Sequence, residues 1–71
     1  MGVGDQVKVK PGAMAGLRER DYVADYMTES IDDRIGTIVS DHHDVVSYPH
    51  WGVDLGFELP VGIAEEWLEL A

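Results

Sequence analysis

The sequence predicts an all-β fold: a small, partly open barrel of about five short strands, with a long first loop and a one-turn helix before the last strand. Three observations predict it. Polar and apolar residues alternate over Gln6–Lys10 and again over Trp51–Leu59, the period of two expected of a strand with one buried face. A third segment, Arg34–Ser40, is rich in β-branched residues, which fit a pleated surface. Pro and Gly punctuate the joins at Pro11–Gly12, Pro49 and Pro60–Gly62. With 71 residues the chain holds a single domain, 1–71. A barrel suits so short a chain, because closing a sheet hides most of its free edges.

Each element follows in order. In the first strand Val3, Val7 and Val9 share one parity and face the core, with Gln6, Lys8 and Lys10 outward. Pro11–Gly12 ends it. Over 12–34 the spacing of Leu17, Tyr22, Val23, Tyr26, Met27 and Ile31 permits an amphipathic helix at 19–29 or a folded-back loop carrying aromatics; the aromatic and β-branched content favours the loop. Arg34–Ser40 is the second strand, with Gly36 marking a bulge or a close backbone approach. Asp41–His42–His43–Asp44 is a polar turn, and Val45–Tyr48 a short strand stopped by Pro49.

The strongest strand signal follows. Trp51, Val53, Leu55, Phe57 and Leu59 fall on one side of an extended chain, with Asp54 and Glu58 on the other and glycines between, where the strand could bend. Ile63–Trp67 makes one helical turn and Leu68–Leu70 the last strand. The expected core is therefore Val7, Val9, Ile38, Val53, Leu55, Phe57 and Leu68, with Lys8, Asp54 and Glu58 exposed. Trp51 and Trp67 also sit at core parities.

These stretches resemble a family. Gly4–Val9 opening the chain, Gly36–Val39 as second strand, Tyr48–Val53 leading into the third and the ending Glu66–Leu70 are similar to SH3-like barrels. The kind they resemble includes the variable chain of ferredoxin-thioredoxin reductase, the small stromal subunit of photosystem I and the barrel of the nitrile hydratase β subunit. The resemblance spans most of the chain except 12–33. It implies a barrel with no catalytic residue or cofactor of its own, one that supports or docks a partner chain. The charge differs, since barrels of this kind that dock acidic partners need basic surface.

Charge narrows the function further. Fourteen acids face five bases, a net charge of −9. All five bases, Lys8, Lys10, Arg18, Arg20 and Arg34, lie in the first 34 residues beside seven acids. Residues 35–71 carry the other seven (Asp41, Asp44, Asp54, Glu58, Glu65, Glu66 and Glu69) and no Lys or Arg. Direct nucleic-acid binding is excluded as an expectation, because such proteins present cations to phosphate. The absence of Cys removes disulfides, thiolate metal sites and a cysteine nucleophile. No basic-then-apolar leader and no apolar run of membrane-spanning length is present, so the expected location is the cytoplasm.

Enzyme motifs are missing. Ser30, Ser40 and Ser47 stand in no nucleophile-elbow context, and neither Gly2–Val3–Gly4 nor Pro11–Gly16 completes a nucleotide-binding loop. Asp32–Asp33 and Glu65–Glu66 are adjacent acids of the kind usually solvated on a turn. His42, His43 and His50, flanked by Asp41 and Asp44, carry metal-ligating groups. Adjacent residues of an extended chain point apart, however, and the segment reads as a solvated turn before it reads as a metal site or a pH-sensitive contact. Tyr26, Tyr48, Trp51 and Trp67 could line a groove for a Pro-rich peptide; their parity and size favour the core.

The sequence thus leads to a non-enzymatic, cofactor-free acidic binding module. Its partner is a protein with a basic surface, of which a nucleic-acid-binding protein, inhibited by carboxylates that imitate phosphates, is one form. No membrane and no small-molecule substrate is implied. The competing reading is an accessory subunit of a redox or hydratase enzyme. The candidate docking residues are Asp41, Asp44, Asp54, Glu58, Glu65 and Glu66, with Tyr48 and Trp51 beside them.

Overall fold

A computed structural model describes residues Met1–Ala71. The alternation at the N-terminus becomes β1 (Gln6–Val9), with Val7 and Val9 fully buried. β2 (Ile35–His42), β3 (His50–Asp54), β4 (Val61–Ile63) and β5 (Leu68–Leu70) follow; a helix α1 (Ala13–Glu19) sits between β1 and β2, and a single 3₁₀ turn (Glu65–Trp67) precedes β5. All pairings are antiparallel, in the order β4-β3-β2-β1-β5. The sheet curls over one core and stays open between its two end strands, the partly open barrel expected.

Two features of β2 shape the sheet. Gly36 lies so close to β3 that a Cβ there would collide with the Asp54 carbonyl, so the glycine marks a close approach. The bulge comes later, between Ile38 and Ser40, where the register with β3 shifts. The extra residue, Val39, is 44% exposed. It lets Ile38 face the core opposite Val53, while Ser40 and the residues after it switch faces.

The structure departs from the expected elements in several places. The helix lies at 13–19, not 19–29. Ala13, Met14 and Leu17 bury one stripe of it. Its first turn is held from far along the chain: the Asp32 carboxylate accepts from Gly12 N–H (3.1 Å) and Met14 N–H (2.9 Å). Gly12 at φ 91 makes the entry a conformation that other residues rarely adopt. Residues 20–34 are the irregular loop, with Met27 and Ile31 buried beneath it.

Val3 is 63% exposed, because β1 begins only at Gln6. Lys8 is half-exposed, near Asp33 at 3.8 Å. Asp41 and His42 belong to β2 instead of a turn, and Val45–Tyr48 forms turns instead of a strand. The Trp51–Leu59 alternation stops at Asp54, whose carboxylate accepts Gly56 N–H (3.0 Å) as the chain turns at Gly56, φ 91. Leu55 is still buried. Phe57, expected in the core, is half-buried under the Arg34 guanidinium, and Leu59 is exposed. No helix is long and apolar enough to cross a membrane.

Candidate functional site

The candidate residues gather mostly around the turn that joins β2 to β3. His42 and His50 are directly paired across these strands, so their rings leave the same face of the sheet. The imidazoles stack at 4.9 Å; His50 stacks in turn on Tyr48 at 4.8 Å, and Tyr48 on Tyr22 at 4.1 Å. The result is a column of four rings across the outer face of the sheet. It lies over a strip of backbone with no side chains of its own, for Gly52 and Gly62 pair with each other on β3 and β4. A Cβ on Gly62 would strike the His50 ring at 2.8 Å, and one on Gly52 would strike Ser40. His50 Nδ1–H donates to the Tyr48 carbonyl (2.6 Å), and His42 Nε2 shares a hydrogen bond with Ser40 Oγ (2.8 Å).

Tyr48 is the structural pivot of this region. Its hydroxyl donates to the Gly62 carbonyl (2.9 Å) and accepts from Ala64 N–H (3.1 Å). Burial pushes the phenol above its ordinary pKa, a shift that the Ala64 N–H and the nearby Arg20 oppose and that Tyr22 and Glu66 reinforce. The ring is 8% exposed, as is that of Trp51. Both were expected at a docking surface; both are buried, Trp51 because its indole lies on the inner face of the sheet and Tyr48 because its ring is covered by Tyr22 on one side and His50 on the other.

On the opposite side of the turn Trp51 Nε1–H donates to the Glu65 carboxylate (3.3 Å), and His43 meets the indole edge-on at 4.4 Å. Asp41, paired with Trp51 across the strands, accepts from both the ring Nδ1–H (2.5 Å) and the backbone N–H (3.0 Å) of His43. These bonds, the side-chain one foremost, hold the Asp41 carboxyl below the usual carboxylate range.

His42, the last residue of β2, and His43, the first of the turn, therefore point to opposite sides, and no three His, Asp or Glu side chains converge on one point. The remaining aromatics do not line a groove. Tyr26 donates to the Pro60 carbonyl (2.8 Å), and Trp67 lies over Gly16.

The acids fall into two groups. Asp41, Asp44, Glu65 and Glu66 surround the β2–β3 turn and the 3₁₀ turn. Asp54 and Glu58 lie at the other end of β3, three residues or about 10 Å along the strand from Trp51. The expectation that Asp54 and Glu58 share a face by strand parity does not hold, because the strand ends at Asp54. Asp54 is also on the opposite face from Asp41: it pairs with Thr37 beyond the bulge, whereas Asp41 pairs with Trp51.

All seven carboxylates of residues 35–71 are exposed. None is paired with a Lys or Arg: the two such ion pairs, Lys8–Asp33 and Arg34–Glu29, lie outside the set. The ring column escaped the sequence reading. Its one signal was a pair of glycines, Gly52 and Gly62, whose relation depends on strand register. Compared with protein-family models, curated proteins and solved structures, the chain matches none, so the likeness to SH3-like barrels rests on the sequence motifs alone.

Proposed function

We propose that this protein is a non-catalytic binding module that docks a basic surface on a partner protein. One observation carries the reading: seven exposed carboxylates in 35–71, none neutralised by a cation of the same chain. Such an uncompensated field draws a cationic partner, speeds the encounter and weakens as salt rises. The group around the β2–β3 turn holds four acids and is the favoured contact; Asp54 and Glu58 form a second, smaller one.

The test is capture of partners from the source cell at increasing salt, using the unmodified chain, Asp44→Lys/Glu66→Lys and Asp54→Lys/Glu58→Lys. The expected result is a complex that dissociates between low and physiological salt and is lost in the first double variant, with melting nearly unchanged because these side chains are exposed. Displacement by duplex DNA would mark the partner as a nucleic-acid-binding protein. A complex that survives high salt and tolerates both double variants would overturn the reading and leave an accessory subunit held by an apolar interface.

A further inference from the structure

The two edges of the sheet are finished differently. At β4 the outward backbone groups are occupied but for the Gly62 N–H: Tyr48 holds the Gly62 carbonyl and Ala64 N–H, and Tyr26 holds the Pro60 carbonyl. At β5 they are not. Lys10 N–H donates to the Trp67 carbonyl (2.8 Å) and Ala71 N–H to the Gln6 carbonyl (3.0 Å), which sets the phase of the ladder. Glu69 therefore faces β1, and Leu68 and Leu70 turn their backbone groups outward. Leu68 N–H bends back to the Glu65 carbonyl. The Leu68 carbonyl and both backbone groups of Leu70 are left at an edge that no strand covers, and the Leu70 side chain is 61% exposed.

We propose that β5 is the docking edge for an extended, basic segment of the partner, added as a sixth strand. The proposal rests on the acidic reading above for the sign of the partner. Charge selects the occupant. Glu65, Glu66 and Glu69 stand exposed on and just before the edge, while the neighbouring Lys8 already has Asp33 beside it. A second copy of this chain would bring Glu69 against like charge in a molecule of net −9. A segment alternating Lys or Arg with apolar residues meets both requirements: an apolar side chain opposite Leu70, a cation opposite Glu69, and main-chain bonds to the open groups.

The probe is a blocked Lys-Val-Lys-Val-Lys-Val peptide added to the whole chain and followed by amide NMR and hydrogen exchange. The expected result is at least tenfold slower exchange at Leu70 N–H, and none at Glu69, which already bonds to β1. Leu70→Pro removes that single N–H at a position where no ladder bond is lost. It is expected to keep the melting temperature within a few degrees and to weaken the peptide about tenfold. The same peptide N-methylated at alternate residues keeps its charge and loses its pairing edge, so it tests the proposal even if Leu70→Pro fails to fold; it too is expected to bind about tenfold more weakly. Equal binding of the plain and N-methylated peptides, or self-association through β5 in the absence of peptide, overturns the edge proposal. If binding then still falls with salt and in Asp44→Lys/Glu66→Lys, the acidic docking face stands without the edge.

Discussion

The loop and helix of residues 10–34 and the sheet of residues 35–63 contribute to one core by different means. In the sheet, Ile38, Val53, Val61 and Ile63 are fully buried because strand parity points them inward. Every neighbour is set by a ladder. In the 10–34 segment Ala13, Leu17 and Ile31 are as deeply buried, yet no ladder holds them. The segment is tied instead by a few side-chain bonds, four of them long-range: Asp32 to Gly12 and Met14, Arg34 to the Leu55 carbonyl and Tyr26 to Pro60, with a local one from Arg34 to the Ser30 carbonyl. Burial alone therefore does not separate a regular region from an irregular one; what does is whether backbone ladders or single side-chain bonds hold it in place.

The largest effect that could break this comparison is at Leu17. If the irregular segment is core and not a covering flap, Leu17→Ala costs about 2–5 kcal/mol, as Ile38→Ala does in the sheet. That loss approaches the full stability of a domain this small. Thermal unfolding of the two variants decides it. A Leu17→Ala protein that melts with the parent would make the segment an appendage. Phe57→Ala, at a half-buried site, is expected to lose clearly less than either.

Next in size is Tyr48→Phe, which strips the β4 edge of its cap and leaves the Gly62 carbonyl and Ala64 N–H unpaired. The expected cost is about 1–3 kcal/mol, with exchange at Ala64 N–H speeding more than at β1. The same burial gives a pH signature. The folded-state pKa of Tyr48 is raised, so its stabilising contribution is complete below the pKa of a free tyrosine, about 10, and is lost as pH rises through the folded value. Ultraviolet titration should show one tyrosine ionising later than a free phenol, absent in Tyr48→Phe.

Asp32→Ala acts on the irregular side. It frees the Gly12 and Met14 amides and is expected to cost about 0.5–2 kcal/mol, in the range of a lost helix cap. Amides of α1 should exchange faster while those of β2 and β3 hold. Uniform acceleration would mean that the segment and the sheet open as one unit.

The same contrast explains what the sequence disclosed. Period-two alternation placed β1 and the start of β3, and the β-branched run placed β2, because each signal is local. Helix α1 was not legible, since its cap comes from Asp32, about twenty residues on, and its stripe is only Ala13, Met14 and Leu17. The alternation through Phe57 and Leu59 misled because Asp54 and Gly56 turn the chain before the pattern ends. That turn also dispersed the acids. Their charge and exposure could be read from composition, but their grouping depends on where β3 stops and on the bulge at Val39, and neither is a local property.

The smallest effect tests the acidic end of the molecule. Asp41 accepts two bonds from His43, and its folded-state pKa is lowered. A lowered carboxyl pKa stabilises the fold above the unfolded value, near 3.8, and the contribution disappears as pH falls through the folded value. The pair is on the surface and screened, so the effect is slight. Asp41→Asn should leave stability at neutral pH almost unchanged and make the acid limb of the stability curve shallower below about pH 4. High salt should shrink the difference between the two proteins. A variant whose acid limb overlays that of the parent would show that the turn around His43 is held by Trp51 packing alone, and that the carboxylate is as free for a partner as Asp44 or Glu66.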